Sequence, residues 1–202
     1  MGGRGASSGV TKKTTRRAQT EHNGRWKAPP SLGEQLASAN GVSVSVAEAQ
    51  AQALYKYSGA EYRDIRNAYY NGITDSPAYQ KAMAIESFIA QSPNWEGGEL
   101  YRGVHLPSAS VRHLKEGSRI DMKGMSSWTS DPKIGEKFSK ANMKGESSVL
   151  FKVSGTKQGA SVTHLSRFGK KESEVIISGK ATWTIKSITK KGGTTIVEVE
   201  ED

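Results

Sequence analysis

KKESEVIISG, residues 170–179, joins a charged entrance to an aliphatic run. Val175-Ile176-Ile177 is short, continuous and bounded by Ser178-Gly179, the pattern of a strand buried on both faces. Glu172 and Glu174 stand at its start, and in a strand residues i and i+2 point to one face. Like charges on one face repel unless a cation or a shared task justifies them, and Lys170 and Lys171 can screen them only in part. The pair reads either as a solvated strand edge or as two carboxylates suited to chemistry on a cation. In the second case one carboxylate holds the cation while the other acts.

Outward from this stretch the chain has two characters. After residue 98 short β-prone runs alternate with Gly, Pro, Ser and Asp: 99–104, 118–122, 125–130, 147–153, 161–165, 181–189 and 194–200, with a KKGG turn at 190–193 making a terminal hairpin. One helix interrupts them, from Pro132 to Asn142. Before residue 98 the pattern is helical. Residues 46–57 are rich in good helix formers behind a Ser45–Glu48 capping-box pattern. A second helix over 60–70 carries Tyr62, Ile65 and Tyr69, and a third starts at Ser76-Pro77 and stops before Pro93. Helices first and strands later define an α+β domain. No internal repeat of solenoid period is present.

Composition bounds the rest. The chain has 202 residues, 35% hydrophobic, with 22 glycines, which fits one globular domain over 31–202. It has no cysteine, which excludes a disulfide scaffold, a cysteine nucleophile and a thiolate metal site. No run of 18 apolar residues occurs, so no membrane span is expected, and MGGRGASSGV does not read as a signal peptide. Of the net charge of +9, residues 1–30 carry +6: Arg4, Lys12, Lys13, Arg16, Arg17, Arg25 and Lys27 against Glu21. This Gly-, Ser- and Arg-rich segment ends at Pro29-Pro30 and reads as a disordered basic arm. Such an arm can contact nucleic acid or an acidic surface, or be a solvated tail.

Two further stretches can carry chemistry. Tyr101-Arg102-Gly103-Val104 places an arginine in a strand-like run, either as a surface side chain or as a buried guanidinium that demands a carboxylate or phosphate. Gly103 would let a ligand approach the backbone. Ser126-Ser127-Trp128-Thr129-Ser130-Asp131-Pro132 flanks an aromatic with hydroxyls, which either orient a neighbouring carboxylate or cap the following helix. His22, His105, His113 and His164 lack metal-ligand spacing, so no metal is expected.

The order of these pieces resembles the Arg–Ser–Glu class of mono-ADP-ribosyltransferases, of the arginine-specific binary-toxin type. The resemblance rests on Tyr101-Arg102-Gly103, on Ser127-Trp128-Thr129 followed by Phe138, and on Glu172-Ser173-Glu174 leading into an aliphatic strand. Tyr62-Arg63-Asp64-Ile65-Arg66-Asn67 is similar to an upstream helix of the family, with Arg66 where an asparagine is usual. The leading GGRGASSG looks like the start of phage- and prophage-encoded members.

The resemblance implies N-terminal helices plus two packed, mainly antiparallel β-sheets that form a cleft for NAD, with NAD as co-substrate and no metal. It implies transfer of ADP-ribose to an arginine of a target protein, with release of nicotinamide, in the cytoplasm of a bacterial host cell or in association with a virion. Glu174 would hold the ribose and stabilise its developing charge, Arg102 would bind the pyrophosphate, Ser127 would orient Glu174, and Glu172 would receive the acceptor. Gly103, Tyr62, Asn67, Ser127 and Thr129 would join Arg102 in binding NAD, and Phe168 would join Glu172 in binding the acceptor protein. The alternatives are an NAD glycohydrolase, a transferase acting on nucleic acid, and a non-catalytic virion or nucleic-acid-binding module.

Overall fold

Among the described residues four helices precede the first strand: α1 (Pro30–Asn40), α2 (Val44–Tyr57), α3 (Tyr62–Tyr70) and α4 (Pro77–Gln91). The structure, a computed structural model, describes residues 30–140 and 144–202. The disordered arm expected over 1–30 lies outside the described residues except for Pro30, which opens α1, a helix the sequence reading did not contain. Proline suits that place because its φ is already helical and its missing N–H is not needed in the first turn. The cap of α2 is Ser43, whose Oγ accepts the Val46 N–H at 3.4 Å. Ser45 therefore lies inside the first turn and is not the cap. α4 starts where expected, with the Tyr79 N–H donated to Ser76 Oγ at 3.1 Å.

The strands follow as β1 (Glu99–Pro107), β2 (Arg119–Ile120), β3 (Ser126–Thr129), β4 (Glu146–Ser154), β5 (Gly159–Ser161), β6 (Glu174–Ile177), β7 (Trp183–Lys191) and β8 (Thr194–Glu201). Two short helices, α5 (Ser108–Val111) and α6 (Pro132–Ser139), lie among them. α6 ends short of residue 142, and 141–143 lie outside the described residues. The strand expected over 161–165 survives only at Ser161, because the chain then turns and the Leu165 N–H donates to Val162 O at 2.8 Å.

The eight strands form one sheet, in the order β2-β7-β8-β4-β1-β3-β6-β5, rather than the two sheets expected. All pairings are antiparallel except β4–β8. The join in the middle is thin, since β1 and β3 share one register pair, Tyr101↔Thr129. Trp128 on β3 and Trp183 on β7 stack with ring centroids 5.4 Å apart. In a flat sheet their four strand steps would separate them by roughly 19 Å, at ~4.8 Å per step. The sheet is therefore folded over on itself and encloses a core that includes Leu100, Trp128, Phe151, Val175, Ile177 and Trp183. A second core joins the helices to the sheet through Leu54, Tyr57, Ile65, Ile85, Met125 and Ile176. Val175 and Ile177 enter one core and Ile176 the other, so β6 is buried on both faces.

α6 crosses β1 at a pair of glycines. A Cβ on Gly103 would lie 2.0 Å from Gly135 O and 2.4 Å from Ser139 N, and one on Gly135 would lie 2.7 Å from Tyr101 Cβ. Backbone cannot swing away as a side chain can. Gly103→Ala is expected to cost about 1–3 kcal/mol by overpacking. Thermal unfolding should show a drop in Tm of about 2–4 °C for each kcal/mol. An unchanged Tm would show that α6 is free to shift.

Candidate active site

Three neighbouring strands bring Arg102 (β1), Ser127 (β3) and Glu174 (β6) together. Trp128 of β3 enters the core, where its Nε1–H donates to Ser126 Oγ at 2.8 Å, and Ser127, Trp128 and Thr129 all contribute to the lining of a cavity. Arg102 Nη1 donates to Ser127 O at 2.7 Å. Glu174 is 4% exposed, and its Oε2 is buried with no hydrogen-bond partner. Burial raises this carboxyl group above the ordinary range, and hydrogen bonds from the Ser166 and Ser127 hydroxyls bring it partly back. The Ser127 hydroxyl is also within reach of the Tyr57 phenol, which donates to Met125 O at 3.0 Å. Burial pushes that phenol up to about 12, so it is neutral at physiological pH.

A second arginine lies beside Arg102. Arg66, on α3, donates through Nη2 to the Met122 and Lys123 carbonyls, and its Nε is buried without a partner. Burial and the Arg66 charge lower the Arg102 guanidinium to about 10, which leaves it cationic at neutral pH. Among the described residues neither guanidinium forms an ion pair with a carboxylate. Two adjacent cations without a counter-charge are built for an anion.

Glu172 is held differently from Glu174. It follows a 3₁₀ turn, Gly169–Lys171, and lies outside β6. The same-face rule for i and i+2 therefore does not apply to this pair. Ser173 between them has φ 44°, the left-handed region a serine rarely occupies, and this turns the chain into the strand. Thr129 Oγ1 clamps the turn by donating to Glu172 O at 2.6 Å. Burial, then the Glu174 charge, raises the Glu172 carboxyl group, and Lys137 opposes them.

The cavity has a volume of about 730 Å³ and is lined by Tyr62, Arg66, Arg102, Gly103, Ser127, Thr129, Phe138, Glu172 and Glu174, among others. This is the size range of small-molecule sites, roughly 300–1,000 Å³. Two residues expected at the site do not line it. Asn67 is exposed, and its Oδ1 accepts from Asn71 Nδ2 at 2.7 Å. Phe168 is 43% exposed beside the glutamate turn. Gly103 lines the cavity, but the room left by its missing side chain is filled by α6 and not left for a ligand. Sequence reasoning missed Arg66, Tyr57 and Ser166 as site residues. Arg66 was findable, because it stands four residues after Tyr62 and so shares its helix face. Tyr57 and Ser166 gave no local signal. Among the described residues no group of three or more His, Asp or Glu could hold a metal, and no helix is long and apolar enough to cross a membrane.

This α+β arrangement is the ADP-ribosyltransferase fold. It is shared with Vis toxin, an ADP-ribosyltransferase from Vibrio splendidus (22% identity, 85% of this chain and 82% of that one, TM-score 0.65), also solved in complex with agmatine. It is shared with exoenzyme S from Pseudomonas aeruginosa, in complex with human 14-3-3 protein beta and bound to carba-NAD (19%, 85% and 87%, TM-score 0.62). The ADP-ribosyltransferase HopU1 of Pseudomonas syringae pv. tomato is a third (14%, 86% and 83%, TM-score 0.64). No family model and no curated protein sequence matches the chain.

The raised Glu174 carboxyl group has a consequence for stability. Both folded and unfolded forms are protonated below the ordinary carboxyl value, and ionising the buried group costs stability as pH rises through its higher folded value. Glu174→Gln, which cannot ionise, should unfold at a higher Tm than the wild type near pH 7. The difference should shrink as pH falls toward about 4. A difference independent of pH would mean that Glu174 is not penalised by burial.

Proposed function

We propose that the chain is a mono-ADP-ribosyltransferase that moves ADP-ribose from NAD to an arginine side chain of a target protein and releases nicotinamide. The observation that carries this reading is the buried Glu174 oxygen without a partner, in the same cavity as the unneutralised Arg66 and Arg102. NAD offers what each lacks: a pyrophosphate for the cations and ribose hydroxyls for the carboxylate. Two neighbours support it, since exoenzyme S is bound to carba-NAD and Vis to agmatine, a guanidinium compound.

In this reading the bond between ribose C1′ and the nicotinamide nitrogen breaks, and its electron pair leaves with nicotinamide. Positive charge develops on the ribose, and the fixed Glu174 carboxylate stabilises it. Ser127 and Ser166 hold that carboxylate, and Arg102 holds the pyrophosphate in place. A nitrogen of the acceptor guanidinium then bonds to C1′ and loses a proton to Glu172. A guanidinium is always cationic and weakly nucleophilic, so a carboxylate that both holds it and takes its proton is what the transfer needs. The acceptor protein is bacterial in this proposal, following the likeness of the N-terminal segment, outside the described residues, to phage-encoded members.

Glu174→Gln should lower both arginine transfer and nicotinamide release by about 10²–10³-fold or more. Glu172→Gln should lower transfer by about 10²–10⁴-fold and leave much of the slow release of nicotinamide to water. Labelled NAD with a guanidinium acceptor reads both quantities. Transfer by the wild type should fail on the acid side at a pH above the ordinary glutamate value of about 4.3, because Glu172 must be ionised and its carboxyl group is raised. Near-normal turnover in Glu174→Gln, or equal loss of both activities in Glu172→Gln, would overturn the assignment.

A further inference from the structure

The mouth of the cavity carries cations that the rest of the fold does not neutralise. Arg63 and Lys123 line the opening, Lys137 faces Glu172 from α6, and Lys170 and Lys171 immediately precede Glu172 in the 3₁₀ turn. All five are exposed, and among the described residues none forms an ion pair. Outside the rim cations of both kinds occur. Among the described residues Lys133, Lys180, Lys190 and Lys191 also form no ion pair. Others are neutralised: Lys56 and Lys81 pair with Glu61, Lys152 with Glu99 and Glu198, and Lys186 with Glu200. What sets the rim apart is the crowding of five such cations around one carboxylate, Glu172. Of the acids at the opening, Asp121 accepts the Lys123 N–H at 2.6 Å and keeps its charge, so five cations stand against this one carboxylate around Glu172.

A rim of this kind sorts acceptors. A free guanidinium or an arginine among other cations meets repulsion before it reaches Glu172. An arginine with acidic neighbours brings charges that match the rim and a cation that matches its centre. We infer that this site takes, as acceptor, a protein arginine flanked by aspartate or glutamate. The inference rests on the transferase reading above and narrows its substrate class.

The test uses the full chain, NAD and three peptides that differ only in the residues flanking one arginine: acidic, neutral or basic. At low salt the acidic peptide should be modified with a kcat/KM about tenfold above the neutral one, the low end of electrostatic steering. The advantage should fade at 0.5 M salt, where screening reaches roughly 4 Å. The double substitution Lys170→Gln with Lys171→Gln should cut the preference severalfold. It should leave nicotinamide release without acceptor within about twofold of the wild type, since neither lysine belongs to the proposed chemistry. Equal rates on all three peptides, a preference that survives the double substitution, or label on an RNA oligonucleotide with none on any peptide would overturn the inference. Nicotinamide release without acceptor is scored separately, and its absence from the folded wild type would instead overturn the transferase reading.

Discussion

Charge without counter-charge governs this molecule. Arg66 and Arg102 lie side by side, and Glu174 is buried a strand or two away, yet no ion pair joins acid to base. Each charge is held by neutral groups instead. Arg102 donates to Ser127 O, Arg66 to two carbonyls, and Glu174 accepts from two serine hydroxyls. Neutral partners fix position without consuming charge, so the site keeps its field for a ligand. The architecture follows from that need. The thin join between β1 and β3 sets Arg102 beside Ser127, the β3–β6 ladder sets Thr129 opposite Glu174, and α2 delivers a neutral Tyr57 hydroxyl from the other core.

Much of the fold was legible because its signals are local. The aliphatic triplet at 175–177, the Ser76-Pro77 helix start and the hairpin around 190–193 each carry their own pattern, and each formed. What was not legible depends on distant contacts. α1 lacks a strong apolar periodicity and is held through Leu36 and Ala37 in the helical core. The Val162–Leu165 segment is β-prone, but burial of both residues is met by a turn. Whether eight strands make one sheet or two turns on a single register pair, which no stretch of sequence announces.

The site divides the same way. Arg102, Ser127, Thr129, Glu172 and Glu174 could be picked out by residue type and spacing, and they share one cavity. The reasons were less legible than the residues. Gly103 serves the packing of α6, and the two glutamates meet through a turn and not through strand alternation. Asn67 and Arg66 are adjacent in sequence but about 100° apart around a helix, so only Arg66 shares the Tyr62 face. Ser166 reaches Glu174 across a fold of the chain, and contacts of that range need the tertiary structure.

The two glutamates differ in rigidity as well as position, and this difference suits a division of labour. Glu174 is paired with Thr129 of β3 at the start of β6, and the three residues that follow it are locked into the two cores. A carboxylate that must stabilise charge at one fixed atom gains from such confinement. Glu172 sits on a turn that ends in a left-handed serine and is tied down mainly through its carbonyl by Thr129. That bond anchors the backbone and not the carboxylate, which suits the acceptor-binding role proposed for Glu172. In the proposed reaction, separating the two carboxylates by one strained residue would let the sheet fix the group that faces NAD while the turn adapts to the acceptor.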